Sequence, residues 1–111
     1  MSNKNKPIFL EVLGDYPINR VLDFLITFKN YDYSMTDIAK RSNVGWTTLN
    51  LFWKDLEKNK IVTFTRLVGR AKMYKLNEEN PVVQQLIKTH WLVLKKYTHD
   101  ILIPKKIVVP A

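Results

Sequence analysis

A chain of 111 residues with 46% hydrophobic and 12% aromatic residues suffices for one domain with a modest core, which excludes a wholly disordered protein. It contains no cysteine, which excludes disulfides and thiolate metal sites and is compatible with a reducing cytoplasm. The net charge is +8, and this excess implies a polyanionic partner, most simply nucleic acid.

The positive charge is concentrated in the middle of the chain. Residues 1–33 carry four basic and four acidic side chains, whereas residues 34–76 carry nine basic and three acidic ones. The remaining 35 residues add a net charge of +2. This distribution favours a basic binding face, and a generic basic surface is the alternative.

Residues 1–13 are predicted to form an N-terminal arm. Within this arm, Ile8–Leu13 is an apolar run too short for its periodicity to distinguish a strand from a helix. Asp15 is then the predicted N-cap of the first long helix. Pro17, two residues later, is tolerated in the first turn of a helix. Apolar residues at helical spacing extend this helix over 17–29.

Residues Thr36–Lys60 predict two helices joined by a tight turn. Ser34 is the predicted N-cap of the first helix, at 35–42, and Asn43 lies at the turn because asparagine tolerates a left-handed backbone. The second helix is predicted at 46–59, with inner residues at three- and four-residue spacing: Leu49, Phe52 and Leu56. This pattern is typical of a DNA-binding helix-turn-helix, whose second helix enters a major groove.

A β-hairpin and a long helix are predicted to complete the chain. The β-branched run 61–68 and the alternating run 71–76 flank a turn at Gly69-Arg70. Asn80-Pro81 combines an N-cap residue with a residue favoured in the first turn, so the last helix begins there. Residues 101–111 are predicted to be an extended or disordered tail.

Helix, helix, turn, helix and then a hairpin is the order of a winged helix. Three segments carry a closer resemblance: GDYPINRVLDFLI before the motif, YDYSMTDIAKRSNVGWTTL through it, and VGRAKMYKLNEENPVV across the hairpin. Over about residues 14–90, the chain is similar to the small archaeal winged helix-turn-helix proteins of the MarR/TrmB-like transcriptional regulators. The resemblance implies a mainly α fold with a small β-hairpin, divided into a DNA-binding domain at 14–79 and a C-terminal helix at 80–100.

The resemblance also implies how double-stranded DNA would bind. The second helix of the motif would read the major groove, and the hairpin, or wing, would reach the minor groove or the flanking backbone. The residues implied in DNA binding are Lys40, Arg41, Gly45, Trp46, Thr47, Thr48, Asn50, Leu51, Lys54, Arg66, Arg70 and Lys72. Asn50 is suited to bidentate contact with adenine, whereas Leu51 stands where such helices usually carry Arg, Lys or Tyr.

The apolar stripe on the last helix is predicted to be a core or dimer face. Because winged-helix regulators commonly pair through such a helix, the resemblance favours a homodimer. The predicted dimer residues are Val83, Leu86, Ile87, His90, Trp91, Leu94 and Tyr97. His90 is interpreted as a packed or interfacial residue.

Two tryptophans lie on the predicted reading helix. Trp53 is next to the inner positions, so it is predicted to pack in the core. Trp46 lies at the start of the helix, where it either braces the turn or stacks on sugar or base edges.

No catalytic or metal-binding pattern stands out. The chain lacks a glycine-rich phosphate loop, an HExxH segment and a nucleophile elbow. His90 and His99 are nine residues apart and no cysteine accompanies them, so no zinc site is expected. We therefore expect a protein that is not an enzyme and needs no cofactor or metal.

No apolar run approaches the ~20 residues that span a bilayer, and MSNKNK is not a signal peptide. We therefore expect a cytoplasmic, nucleoid-associated protein with no membrane partner.

Three functions stay open from the sequence. A homodimeric, sequence-specific transcriptional regulator is favoured. A non-specific architectural or plasmid-segregation DNA-binding protein would use the same basic face. A winged-helix protein-interaction module would instead present Trp46, Leu51 and Trp53 as an apolar patch.

Overall fold

The computed structural model describes residues 6–102, with side chains described for residues 6–98. Its elements, in chain order, are α1 (Ile8–Leu13), α2 (Pro17–Thr27), β1 (Tyr33–Ser34), α3 (Met35–Ser42), α4 (Trp46–Lys58), β2 (Val62–Val68), β3 (Ala71–Leu76) and α5 (Pro81–Leu102). The described chain is mainly helical with a small antiparallel sheet, which confirms the predicted fold class.

The main core lies between α2, α3, α4, the hairpin and the start of α5. Its most deeply buried side chains are Val21, Leu25, Ile38, Leu49, Trp53, Leu76 and Val83. On α4, the predicted inner residues Leu49 and Leu56 are buried, and Phe52 is half-buried against the same core. Trp53 packs in this core, as predicted, with its ring edge-on to that of Tyr74 at 5.2 Å between centroids.

Side-chain hydrogen bonds cap the first turns of α3 and α5. Ser34 Oγ accepts a hydrogen bond from the Asp37 N–H at 3.1 Å, and Asn80 Oδ1 accepts one from the Val82 N–H at 2.9 Å. Both predicted N-caps are therefore confirmed. Asn43 has φ 56° and ψ 46°, the left-handed conformation predicted for the turn before α4.

The predicted N-cap at Asp15 is wrong. Tyr16 occupies the N-cap position of α2, and no side chain caps that helix. The Asp15 carboxylate instead pairs with the Arg20 guanidinium, with Nε–Oδ1 at 2.5 Å and Nη2–Oδ2 at 3.1 Å. Two charge-assisted hydrogen bonds outweigh the single bond that a cap would make, so the carboxylate turns to Arg20.

The sheet includes a third strand, β1, which has no sequence signature because two residues are too few to alternate. β1 pairs antiparallel with β3, and the other edge of β3 pairs with β2. A register shift between Phe64 and Arg66 marks a bulge in β2. Gly69 has φ 61° at the hairpin turn, a conformation that suits glycine and agrees with its predicted role.

The two ends of the described chain pack against each other. The apolar run Ile8–Leu13 is a helix, and its Phe9 and Leu10 form a second buried cluster with Val93 of α5. α5 continues to Leu102, two residues into the predicted tail. The rest of that tail, 103–111, and the first five residues of the predicted arm lie outside the described residues. None of the described helices is long and apolar enough to cross a membrane.

Candidate nucleic-acid interface

The outer face of α4 is accessible along most of its length. The buried residues of α4 occupy one side of the helix, so the positions between them turn outward. The exposed ones are Gly45, Trp46, Thr47, Asn50, Leu51 and Lys54, and Thr48 is half-buried. Folding therefore gathers the residues predicted for the reading helix on one surface.

This outer face combines polar groups with apolar ones. The Asn50 Nδ2 donates a hydrogen bond to the Trp46 carbonyl at 2.8 Å, so the Asn50 amide lies back along its own helix. Leu51 is 77% exposed, and Trp46 is 53% exposed. Asn50 must turn away from Trp46 to make a bidentate contact with a base.

A shallow groove joins the start of α4 to the wing. Its volume is about 200 Å³, and its lining consists of Ser34, Met35, Thr36, Trp46, Ala71, Lys72 and Tyr74. Trp46 from α4 and Lys72 from β3 therefore border one continuous surface. The sequence predicted both residues as DNA contacts, and the fold brings them together.

The three predicted wing cations are not equivalent. Arg70 and Lys72 are exposed and form no ion pair with any residue in 6–98. Arg66 is instead committed to Asp32, in the segment before β1, with Nε–Oδ2 at 2.9 Å and Nη2–Oδ1 at 3.1 Å. Thr65 Oγ1 also donates a hydrogen bond to Asp32 Oδ2.

These hydrogen bonds change the acidity of Asp32. The guanidinium of Arg66, and then the hydroxyl of Thr65, lower the pKa of Asp32 to about 2. The pKa of Asp32 in the folded protein lies below its ordinary value in the unfolded chain. The Asp32–Arg66 pair therefore stabilises the folded state at any pH where Asp32 is ionised in both the folded and the unfolded chain. That contribution is complete above about pH 4 and is lost as the pH falls toward 2.

Two of the residues predicted to bind DNA, Lys40 and Arg41, lie in the last turn of α3. Both are exposed. The Arg41 guanidinium carbon lies 5.5 Å from the centre of the Tyr33 ring, a cation–π distance. Arg41 also lines a cavity that lies between α1, α2, the end of α3 and α5. Its side chain therefore borders both the α3 surface and this cavity.

Arg20 is a supporting residue that the sequence did not single out. Besides its pair with Asp15, its Nη1 donates a hydrogen bond to the Asn43 carbonyl at 2.7 Å. The Asp15 carboxylate raises the pKa of the Arg20 guanidinium, chiefly through their hydrogen bonds. Arg20 thus connects α2 to the turn before α4. Arg20 and Asn43 are 23 positions apart, and no sequence pattern predicts their contact.

A cavity of about 610 Å³ lies between α1, α2, the end of α3 and α5. His90 of α5 and Asp23 of α2 are both on its wall, with His90 Nε2 2.7 Å from Asp23 Oδ1. The Phe9 ring of α1 lies 4.9 Å from the His90 ring, centre to centre. His90 is buried, and its contacts with Asp23 and Phe9 join α5 to α2 and α1 within one protomer.

The predicted dimer residues divide into two groups. Val83 and His90 are buried within the protomer, so they support α5 and present no surface to a second chain. Leu86, Ile87 and Leu94 are half-buried, whereas Trp91 and Tyr97 are exposed. A groove of about 550 Å³ runs beside Trp91 and is lined by Lys29, Ile87, Lys88, Trp91 and Leu92.

Comparison with known proteins identifies the architecture. No family model matches the chain, and no curated protein matches it in sequence. Among solved structures, it is similar to NadR in complex with 4-hydroxyphenylacetate, with a TM-score of 0.61 and 20% identity over 91% of this chain. It is also similar to the apo C30AH42A mutant of Lactococcus lactis ZitR, with a TM-score of 0.59 and 16% identity over 75% of this chain.

The chain has a winged-helix fold. Both similar structures are winged-helix regulators of the MarR family. The chain spans 72% of the length of NadR and 65% of the length of ZitR. At these identities the likeness concerns the architecture.

Proposed function

We propose that this protein is a MarR-like, DNA-binding transcriptional regulator that acts as a homodimer. In this proposal, α4 enters the major groove, and the wing contacts the minor groove or the adjacent backbone. The observation that carries the proposal is the continuous surface formed by the exposed start of α4 at Trp46 and the wing at Lys72. Arg70 is also exposed on the wing, and neither wing cation forms an ion pair with residues 6–98. Its regulatory role is inferred by analogy with the winged-helix regulators that share the fold.

Charge supports a nucleic-acid partner. The segment from 34 to 76 holds nine basic and three acidic residues, and it includes both helices of the motif and the wing. Among its predicted DNA-binding cations, Lys40, Lys54, Arg70 and Lys72 are exposed. A non-enzymatic role in the cytoplasm, associated with the nucleoid, is part of the same proposal.

The dimer is proposed to form through the exposed side of α5. Trp91 and its neighbour Leu92 are 57% and 59% exposed and line one groove with Ile87, and contiguous apolar side chains of this kind suit a protein interface. Tyr97 lies farther along the same helix. Light scattering should give a mass of twice 13.1 kDa if the chain pairs. A mass of 13.1 kDa at working concentration would remove the dimer from the proposal.

The dependence of affinity on salt tests the DNA-binding function. A duplex recovered by selection from random sequences is titrated by fluorescence anisotropy at several salt concentrations. With six to ten phosphate contacts per dimer, affinity should fall by about 10³-fold or more between 50 and 200 mM salt. An affinity that does not change with salt would contradict the proposal.

Two substitutions on the proposed surface should have different effects. Arg70→Ala removes one exposed wing cation from each protomer, so it should weaken binding to all duplexes alike and reduce the log–log salt slope by about 1.8, which is about 0.9 for each of two lost phosphate contacts. Asn50→Ala should reduce the preference for the selected duplex over bulk DNA by up to about tenfold and leave the slope unchanged. If neither variant alters binding, α4 and the wing do not form the DNA-contacting face.

A protein-interaction module is the second candidate, because Leu51 and Trp46 are exposed on the outer face of α4. Apolar groups of this size in the centre of a surface suit a protein partner as well as a thymine methyl. Failure to bind any duplex at low salt would favour this candidate. Equal affinity for the selected duplex and for bulk DNA would instead favour a non-specific DNA-binding protein.

A further inference from the structure

The contact between Asp32 and Arg66 crosses the sheet. Asp32 immediately precedes β1, Arg66 lies on β2, and β3 separates these two strands. The residues are 34 positions apart, yet the guanidinium meets both carboxylate oxygens, at 2.9 and 3.1 Å. Only 13% of the Asp32 side chain is accessible, whereas 64% of the Arg66 side chain is accessible. Asp32 is therefore the fixed member of the pair and belongs to the body of the domain.

β3 is held by its pairing with β1 and by the buried Tyr74 and Leu76, whereas β2 has few attachments to the body beyond Val62. Every residue of β2 after Val62 is exposed, and β2 is an edge strand bonded on one side only. The bulge between Phe64 and Arg66 interrupts the ladder just where Thr65 and Arg66 reach Asp32. Hydrogen bonds to an ionised carboxylate therefore hold the hairpin at the point where the backbone ladder is weakest.

We propose that Asp32 and Arg66 are positioning residues that set where the wing meets DNA. Arg66 binds the body of the protein instead of phosphate, and the contact fixes the direction in which Arg70 and Lys72 project. This inference rests on the proposed DNA-binding function. In this proposal Arg66 anchors the wing and is not itself a DNA contact.

A substitution that removes the charge of Asp32 distinguishes positioning of the wing from a general electrostatic effect on DNA affinity. Asp32→Asn removes a negative charge from a DNA-facing domain, which by charge alone should tighten binding. The same substitution removes the bidentate anchor and releases the wing, which costs conformational entropy when the wing binds DNA. If the wing is positioned by this contact, binding becomes weaker despite the added positive charge.

The first experiment compares Asp32→Asn with Asp55→Asn, a matched removal of one carboxylate. Asp55 is exposed on α4, and its carboxylate forms no ion pair with the described residues. By anisotropy on the selected duplex, Asp32→Asn should bind about threefold to tenfold more weakly than the wild type. Asp55→Asn should bind as tightly or more tightly. Tighter binding by Asp32→Asn would overturn the proposal.

The second experiment exchanges the two charges. Arg66→Asp should weaken binding, and the double variant Asp32→Arg/Arg66→Asp should recover most of the loss because the pair forms again in reverse. If Arg66 contacts phosphate, the double variant stays as weak as the single one. In the same titrations, Arg66→Met should leave the salt slope unchanged, whereas Arg70→Met should lower it by about 1.8 because each of the two protomers loses one phosphate contact.

A measurement without DNA distinguishes failure of this inference from failure of the proposed function. ¹⁵N relaxation of the free protein should show increased mobility at residues 68–71 in Asp32→Asn, with order parameters of α2 and α4 unchanged. If the wild type binds no duplex, the proposed function fails while the relaxation result still tests the contact. Unchanged wing mobility in Asp32→Asn would refute the positioning role.

Discussion

Replacing Trp53 with alanine is expected to lower the free energy of unfolding by about 3–5 kcal/mol, the usual cost of deleting a large buried aromatic side chain. Trp53 is 2% exposed and packs edge-on against Tyr74, so it joins α4 to β3. Without the indole, a cavity opens between α4 and β3. Because small domains are stable by only about 5–15 kcal/mol, a large fraction of the stability would be lost.

Urea unfolding followed by circular dichroism measures this loss. Trp46→Ala is the matched control, since Trp46 is seven residues earlier on the same helix and is exposed. It should change stability by less than about 0.5 kcal/mol while weakening DNA binding. The assignment of Trp53 to the core and Trp46 to the surface is contradicted if Trp46→Ala is the more destabilising variant.

Replacing His90 with alanine is expected to cost about 2–4 kcal/mol, from lost packing and from the hydrogen-bond partner left unmatched. His90 Nε2 lies 2.7 Å from Asp23 Oδ1, and the Asp23 side chain is only 15% exposed. The substitution also removes the ring against which Phe9 packs. α5 and α1 should therefore loosen together from α2, and hydrogen exchange in both helices should become faster.

The neighbouring residue supplies the control for this prediction. Trp91→Ala removes an exposed ring from the proposed dimer face and should leave the stability of the isolated protomer within about 0.5 kcal/mol of the wild type. Sedimentation at increasing concentration should nevertheless show weaker self-association. Loss of pairing in His90→Ala with full stability retained would instead place His90 at the interface.

The predictions that the structure confirms depend on short stretches of sequence. Ser34 caps α3 through an amide three residues away, and Asn43 adopts the left-handed turn that its side chain tolerates. Trp53 lies beside an apolar series at helical spacing, so its burial follows from position along one helix. For such features the interacting groups are close in sequence, so the residue types and their spacing suffice to predict the structure.

Two ion pairs were not predicted from the sequence, one between residues five positions apart and one between residues 34 positions apart. Asp15 has the composition of an N-cap, but Arg20 offers it a stronger, charged partner. Arg66 has the composition of a DNA contact, but Asp32 engages it from 34 residues away. In each case the residue type is compatible with two partners, and only the fold determines which one is within reach.

The amino-acid sequence specifies the order and approximate limits of the four longer helices, the hairpin turn and the basic middle segment, because periodicity, capping and charge are properties of neighbouring residues. It does not specify α1, whose six residues are too few for their periodicity to distinguish a helix from a strand. The tertiary structure decides how those parts act together. It adds β1 to the sheet, joins His90 to Asp23 across 67 residues, and separates the buried side of α5 from its exposed side. It also pairs one of the three exposed wing cations, Arg66, with Asp32, and leaves Arg70 and Lys72 without an ion pair among residues 6–98, because folding brings the Asp32 carboxylate within 3.1 Å of the Arg66 guanidinium.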